Sequence, residues 1–213
     1  MNEVHLDFSF KARYYQLGAV NKQTENVWFV CHGYGQLAGY FIKNFEVLNN
    51  KRHCVVAPEG LSRFYLNGFA GRVGATWMTK EDRLIDIENY INYLNTVYAE
   101  VIGKRKDLHI TLLGFSQGVA TVARWANEQG LCYHRLIWWA GVIPPDLNID
   151  LAREKFSQAD TVIVYGNEDP YIGPEQLEEQ HRQLERLSIH PKMITFEGKH
   201  VIDDNTLLKI STI

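Results

Sequence analysis

Cysteine is scarce in this chain, with three residues, Cys31, Cys54 and Cys132, among 213. None stands in a CxxC or Cys/His spacing, and an odd number cannot pair completely within the chain, so neither a disulfide framework nor a zinc site is indicated. All three lie in or beside apolar runs and are read as reduced, buried small hydrophobes. Excess positive charge is missing too. The 22 Lys and Arg residues are scattered and are outnumbered by 25 Asp and Glu, giving a net charge of -3, so the basic stripe that nucleic acid requires is absent and no nucleic-acid partner is expected. No apolar run approaches the ~20 residues that span a bilayer, which argues against stable membrane insertion. The opening MNEVHLDFSF is acidic and polar where a secretory signal would be basic and then apolar, and a cytoplasmic location is expected. Linkers, repeats and low-complexity tracts are also lacking, and a 46% hydrophobic content fits one domain over residues 1–213.

What is present is an alternation of short apolar runs with longer segments of helical period, the pattern of parallel strands joined by crossover helices. Strands are predicted at 27–31, 53–57, 109–114, 135–140, 161–165 and 192–196. Several are apolar throughout, as in a sheet covered on both faces. Helices are predicted at 37–49, 80–102, 117–129 and 174–187. In the second of these Leu84, Ile87, Ile91, Leu94 and Tyr98 recur every three or four residues and form its buried stripe, and Thr79 starts it. Pro174 opens the last one, where its missing N–H costs little. Leu6, Phe8 and Phe10 alternate with polar residues ahead of Tyr14, Tyr15 and Leu17, which suggests an edge hairpin. Trp138 and Trp139, adjacent on one strand, face opposite helix layers.

Leu112 to Ala120, LLGFSQGVA, places a serine between two glycines, after a strand and before a helix of small residues. This is the setting of a nucleophile elbow, in which a strained turn projects the serine and flanking glycines let helix and strand approach. A serine hydroxyl becomes a useful nucleophile at neutral pH only beside an imidazole oriented by a carboxylate. Two later strand ends supply them: Gly-Asn-Glu-Asp-Pro holds Asp169, and Glu-Gly-Lys-His holds His200. Ser116, Asp169 and His200 are therefore the catalytic candidates, with Glu168 or Asp160 as the alternative acid. The oxyanion of acyl transfer needs two N–H donors. Gln117 offers one by position, and the Cys-His-Gly-Tyr-Gly loop offers another, Tyr34 first and Gln36 next. His32 is read as ordering that loop by hydrogen bonding. The aperiodic stretch 59–78 carries Phe69, Trp77 and Met78 as candidates for a pocket wall, and core packing is the alternative for each aromatic.

With His-Gly-Tyr-Gly, Gly-Phe-Ser-Gln-Gly, Gly-Asn-Glu-Asp and Gly-Lys-His in this order, the sequence resembles the α/β-hydrolase superfamily. Within it, it resembles the phospholipase/carboxylesterase family of small carboxylesterases and acyl-protein thioesterases. The resemblance implies a single-domain α/β-hydrolase fold, a mostly parallel twisted sheet with helices on both faces. It also implies the nucleophile at Ser116, the acid and base at Asp169 and His200, and oxyanion amides at Tyr34 and Gln117. Family members commonly carry an aliphatic residue where Tyr34 stands, Asp at Gln36 and His at Tyr165. The short segment 141–160 leaves no room for the large cap that many superfamily members insert. A small-molecule ester is the expected substrate, without metal or organic cofactor. A binding protein on the same fold and a peptidase or amidase remain alternatives, and nothing in the sequence speaks to oligomeric state.

Overall fold

The computed structural model describes residues 1–212. Seven strands form one sheet in the order β1-β3-β2-β6-β7-β8-β9. These are β1 (Tyr14–Leu17), β2 (Asn26–Cys31), β3 (His53–Pro58), β6 (His109–Phe115), β7 (Arg135–Trp139), β8 (Asp160–Gly166) and β9 (Lys192–Phe196). All neighbours run parallel except β1, which lies antiparallel on β3 at the edge. A separate two-stranded hairpin, β4 (Ser62–Tyr65) and β5 (Val73–Thr76), lies within the stretch read as aperiodic.

Helices cover both faces. On one lie α2 (Arg83–Ile102), α3 (Gln117–Ala126), α4 (Ile149–Gln158) and α5 (Pro174–Leu187), around a core that includes Leu94, Val122, Phe156 and Trp138. On the other lie α1 (Ala38–Phe41) with the 3-10 turns of Ile42–Leu48, and α6 (Asp204–Ser211), around Phe45, Leu207 and Trp139. The adjacent tryptophans thus enter opposite layers, as strand alternation requires, and both are fully buried. Each buried aromatic of this size contributes about 2–3 kcal/mol through the water it gives up.

Several predicted elements change in detail. The segment 37–49 is only one turn of α-helix before it tightens, because Ile42, Phe45 and Leu48 are spaced by three, which a helix of three residues per turn buries on one side. The helix α2 starts at Arg83 after Asp82 in a left-handed conformation (φ 49°), not at Thr79. Its buried stripe is Tyr90, Leu94 and Val97; Leu84 is exposed and Ile87, Ile91 and Tyr98 only flank the core. Residues 1–13 form no strand, and Leu6, Phe8 and Phe10 are exposed, so the expected hairpin reduces to β1 alone. Cys31 and Cys54 are buried, but Cys132 is exposed, in the turn between α3 and β7; all three are free. The β7–β8 connection contains the ten-residue α4, packed in the helix layer.

Candidate active site

The site is built on the carboxyl ends of β2, β6, β8 and β9. Ser116 follows β6 directly and has φ 54° and ψ -118°, a conformation that costs a residue with a side chain about 1–3 kcal/mol. The turn is held by Ser116 N–H donating to Trp139 O at 2.9 Å and by Val119 N–H donating to Ser116 O at 3.0 Å. Glycine is obligatory on either side. A Cβ on Gly114 would sit 2.2 Å from Gly118 O, and one on Gly118 would sit 2.2 Å from Cys31 O.

The turn after β8 places Asp169 with its side chain wholly removed from solvent. Its Oδ1 accepts from Tyr171 N–H at 2.9 Å, and its Oδ2 lies 2.7 Å from His200 Nδ1. Two carboxylate acceptors thus occupied leave the acid one orientation. His200, on the loop after β9, is clamped between Phe115 and Tyr171, with ring centroids 4.7 Å and 4.8 Å away. Phe115 immediately precedes Ser116, so the imidazole lies beside the elbow. Ser116 Oγ makes no hydrogen bond to a described residue, His200 included. The alternative acids are elsewhere: Asp160 pairs with Arg135 at the opposite end of β8, and Glu168 is exposed.

The loop after β2 faces the elbow; a Cβ on Gly33 would touch Ser116 Cβ at 3.1 Å. Its donors are nearly all committed. Gly33 N–H goes to Gln36 Oε1 (2.8 Å), Gly35 N–H to Ala75 O (2.9 Å) and Gln36 N–H to Gly33 O (3.2 Å). Among the described residues, the N–H groups of Tyr34 and Gln117 meet no acceptor. Gln36, the alternative donor, is consumed within the loop.

His32 orders this loop as expected. It is fully buried, its Nδ1 is 2.8 Å from Gly33 O and its Nε2 accepts from Gly60 N–H at 2.9 Å. A ring that donates from Nδ1 and accepts at Nε2 is neutral, and burial lowers its pKa accordingly. Trp77 completes the brace: its Nε1 donates to His32 O at 2.8 Å and its ring packs on the imidazole. Trp77 is 2% exposed, so its role is core packing beneath the loop. Phe69, at the tip between β4 and β5, is almost fully exposed. Met78 is half-buried, and its carbonyl accepts from Gln117 Nε2 at 3.1 Å. The Gln117 side chain also bonds Thr76 and Trp77 N–H, tying the elbow to the hairpin.

Sequence reasoning missed Glu59. This nearly buried carboxylate, just past β3, lies 2.7 Å from Arg13 Nε and 3.3 Å from Arg63 Nε, and it accepts the Ala38 N–H at the start of α1. Its one signal in the sequence was position, an acid directly after an apolar strand. Glu3, His5 and Asp82 form the one group with metal-ligand proximity among the described residues; it is exposed and remote in sequence from every element of the elbow.

A family model described as Phospholipase/Carboxylesterase matches residues 16–213. No curated protein sequence matches the chain. Among solved structures, acyl-protein thioesterase 2 of Zea mays is similar at TM-score 0.70 and 14% identity, over 95% of this chain and 97% of that one. A phospholipase/carboxylesterase from Dyadobacter fermentans is similar at TM-score 0.68 and 18% identity, over 97% of each chain. The Bacillus cereus carboxylesterase is similar at TM-score 0.62 and 15% identity, over 94% and 92%. The sheet, with its single antiparallel edge and helices on both faces, is the α/β-hydrolase fold.

Proposed function

The chain belongs to the phospholipase/carboxylesterase family, and on that premise we propose that it is a serine hydrolase that cleaves small carboxylic esters or thioesters through an acyl-enzyme. The observation that carries this reading is the Asp169–His200 pair, 2.7 Å apart, held beside a serine at a strained strand-to-helix turn.

In this reading Asp169 holds the His200 tautomer with Nδ1–H toward the carboxylate, which leaves Nε2 as the base. Nε2 takes the Ser116 proton as Oγ attacks the ester carbonyl carbon. The carbonyl oxygen becomes an oxyanion and accepts from the free N–H groups of Tyr34 and Gln117, and loss of one such donor typically costs on the order of 100-fold or more. Collapse of the intermediate breaks the bond to the alcohol or thiol, which leaves with the proton from His200. Water then attacks the acyl-enzyme, giving its proton to Nε2, and the serine and a carboxylic acid are released.

The test is hydrolysis of p-nitrophenyl esters of increasing chain length by wild type and Ser116→Ala. Turnover that falls to background in the variant supports the reading, and a rate that survives in Ser116→Ala removes it. A ligand-binding protein on this fold is the second reading, favoured by the missing Ser116–His200 hydrogen bond. Stoichiometric binding of esters without turnover would select it.

A further inference from the structure

Two aromatic rings touch His200, and they differ in what they offer a ligand. Phe115, with its centroid 4.7 Å from the imidazole, is 3% exposed, whereas Tyr171, at 4.8 Å and 66° to the imidazole plane, is 68% exposed. Phe115 has no surface left to give. Tyr171 lies against the imidazole with most of its side chain open to solvent.

A single exposed aromatic on a protein surface needs no explanation, but the backbone of this one is pinned. Tyr171 N–H donates to Asp169 Oδ1 at 2.9 Å, Ile172 N–H donates to Asp169 O at 3.2 Å, and Asp169 N–H donates to Gly166 O at 3.2 Å. Pro170, between the acid and the tyrosine, fixes its own φ. The turn that orients the acid therefore also orients the tyrosine. With only two side-chain torsions, a tyrosine loses little freedom when a ligand packs on it.

The chemistry decides which part of a substrate would meet this ring. To receive a proton from His200 Nε2, the leaving-group oxygen must come within about 3 Å of it. The next atoms of the alcohol then lie a bond or two farther from the imidazole, within reach of a ring that touches the imidazole. The acyl chain, joined to the carbon that Ser116 Oγ attacks, is under no such constraint.

We propose, on the ester-hydrolase reading, that Tyr171 is the leaving-group contact and that it makes the protein selective for esters of aromatic alcohols over esters of saturated alcohols of equal size. An aromatic leaving group packs edge-on or offset against the Tyr171 ring, an arrangement that favours aromatic pairs beyond the area they bury. A saturated ring covers a similar area without that gain.

The experiment compares kcat/KM for benzyl acetate and cyclohexylmethyl acetate, which share an acyl group and a carbon skeleton. Each value is divided by the ester's rate with hydroxide to remove intrinsic reactivity. Wild type is expected to favour the benzyl ester about threefold to tenfold, the range an aromatic pair supplies. Tyr171→Phe, which keeps the ring, retains the preference, and Tyr171→Leu brings the ratio to about one. A loss of rate shared by both esters cancels in the ratio, so displacement of His200 alone does not mimic this result. The acyl-side pair, methyl phenylacetate and methyl cyclohexylacetate, gives a ratio that Tyr171→Leu leaves unchanged. A wild-type ratio near one, a benzyl preference that survives in Tyr171→Leu, or an acyl-side ratio that moves with it overturns the proposal and leaves the hydrolase reading intact. So does turnover of neither acetate while p-nitrophenyl acetate is hydrolysed. Turnover of no ester at all overturns both.

Discussion

Asp169 Oδ2 and His200 Nδ1 lie 2.7 Å apart with the carboxylate shut away from solvent. The aspartate's other oxygen is already occupied by Tyr171 N–H, so the acid cannot rotate away from the imidazole. In Asp169→Asn the amide meets the ring with a donor or with a weaker acceptor, and the base loses its tautomer. Ester turnover should fall on the order of 10³-fold to 10⁴-fold with the fold retained, measured as kcat beside an unchanged circular dichroism spectrum. A loss under tenfold would remove Asp169 from its proposed role.

Backbone strain at Ser116 (φ 54°) predicts an unusual ordering of variants. Ser116→Gly relieves a conformation that alanine must still adopt, and it should be more stable than Ser116→Ala by about 1 kcal/mol or more. Urea unfolding of the two variants checks this; equal midpoints would mean that the turn is unstrained.

Gly118→Ala should behave in the opposite way. The added Cβ meets backbone, 2.2 Å from Cys31 O, and backbone in a sheet cannot step aside as a flexible side chain can. Destabilisation of about 1–3 kcal/mol or more is expected from the overpacking, together with loss of activity as α3 moves off β2. A variant as stable as wild type in thermal melts would contradict the close approach.

His32 predicts a pH dependence. Burial lowers its pKa below the usual value of about 6.5, so the unfolded chain binds this proton more readily than the folded one. Stability from this group is complete above about pH 6.5 and declines as pH falls toward the depressed folded value. Denaturant midpoints of wild type should therefore drop between pH 7.5 and pH 5.5 by more than those of His32→Gln. Equal drops would mean that His32 is not held neutral.

The parallel strands were legible because most are largely apolar runs, Lys192–Phe196 less so with Lys192 and Thr195 in it, and the elbow because glycines on both sides of a serine have a mechanical reason that survives without coordinates. Asp169 and His200 were legible as acid and imidazole at late strand ends. The helices α4 and α6 were passed over although each carries a start signal, Asn148 accepting from Leu151 N–H and Asp203 accepting from Thr206 N–H; their few apolar residues gave weak periodicity. The hairpin β4–β5 was hidden by its glycine-rich turn, and its partner is the Gly35–Gln36 loop segment, far away in sequence. Trp77 read as a pocket wall because its aperiodic neighbourhood resembled a surface loop, whereas its indole N–H anchors it under His32.

Ser116 is proposed as a nucleophile activated by His200. The direct measurement is reaction with a fluorophosphonate, followed by intact mass and peptide mapping, on wild type, Ser116→Ala and His200→Ala. One adduct per chain is expected on the Ser116 peptide of wild type, none on Ser116→Ala and greatly slowed labelling of His200→Ala. Labelling at another residue, or labelling of His200→Ala at the wild-type rate, would contradict it.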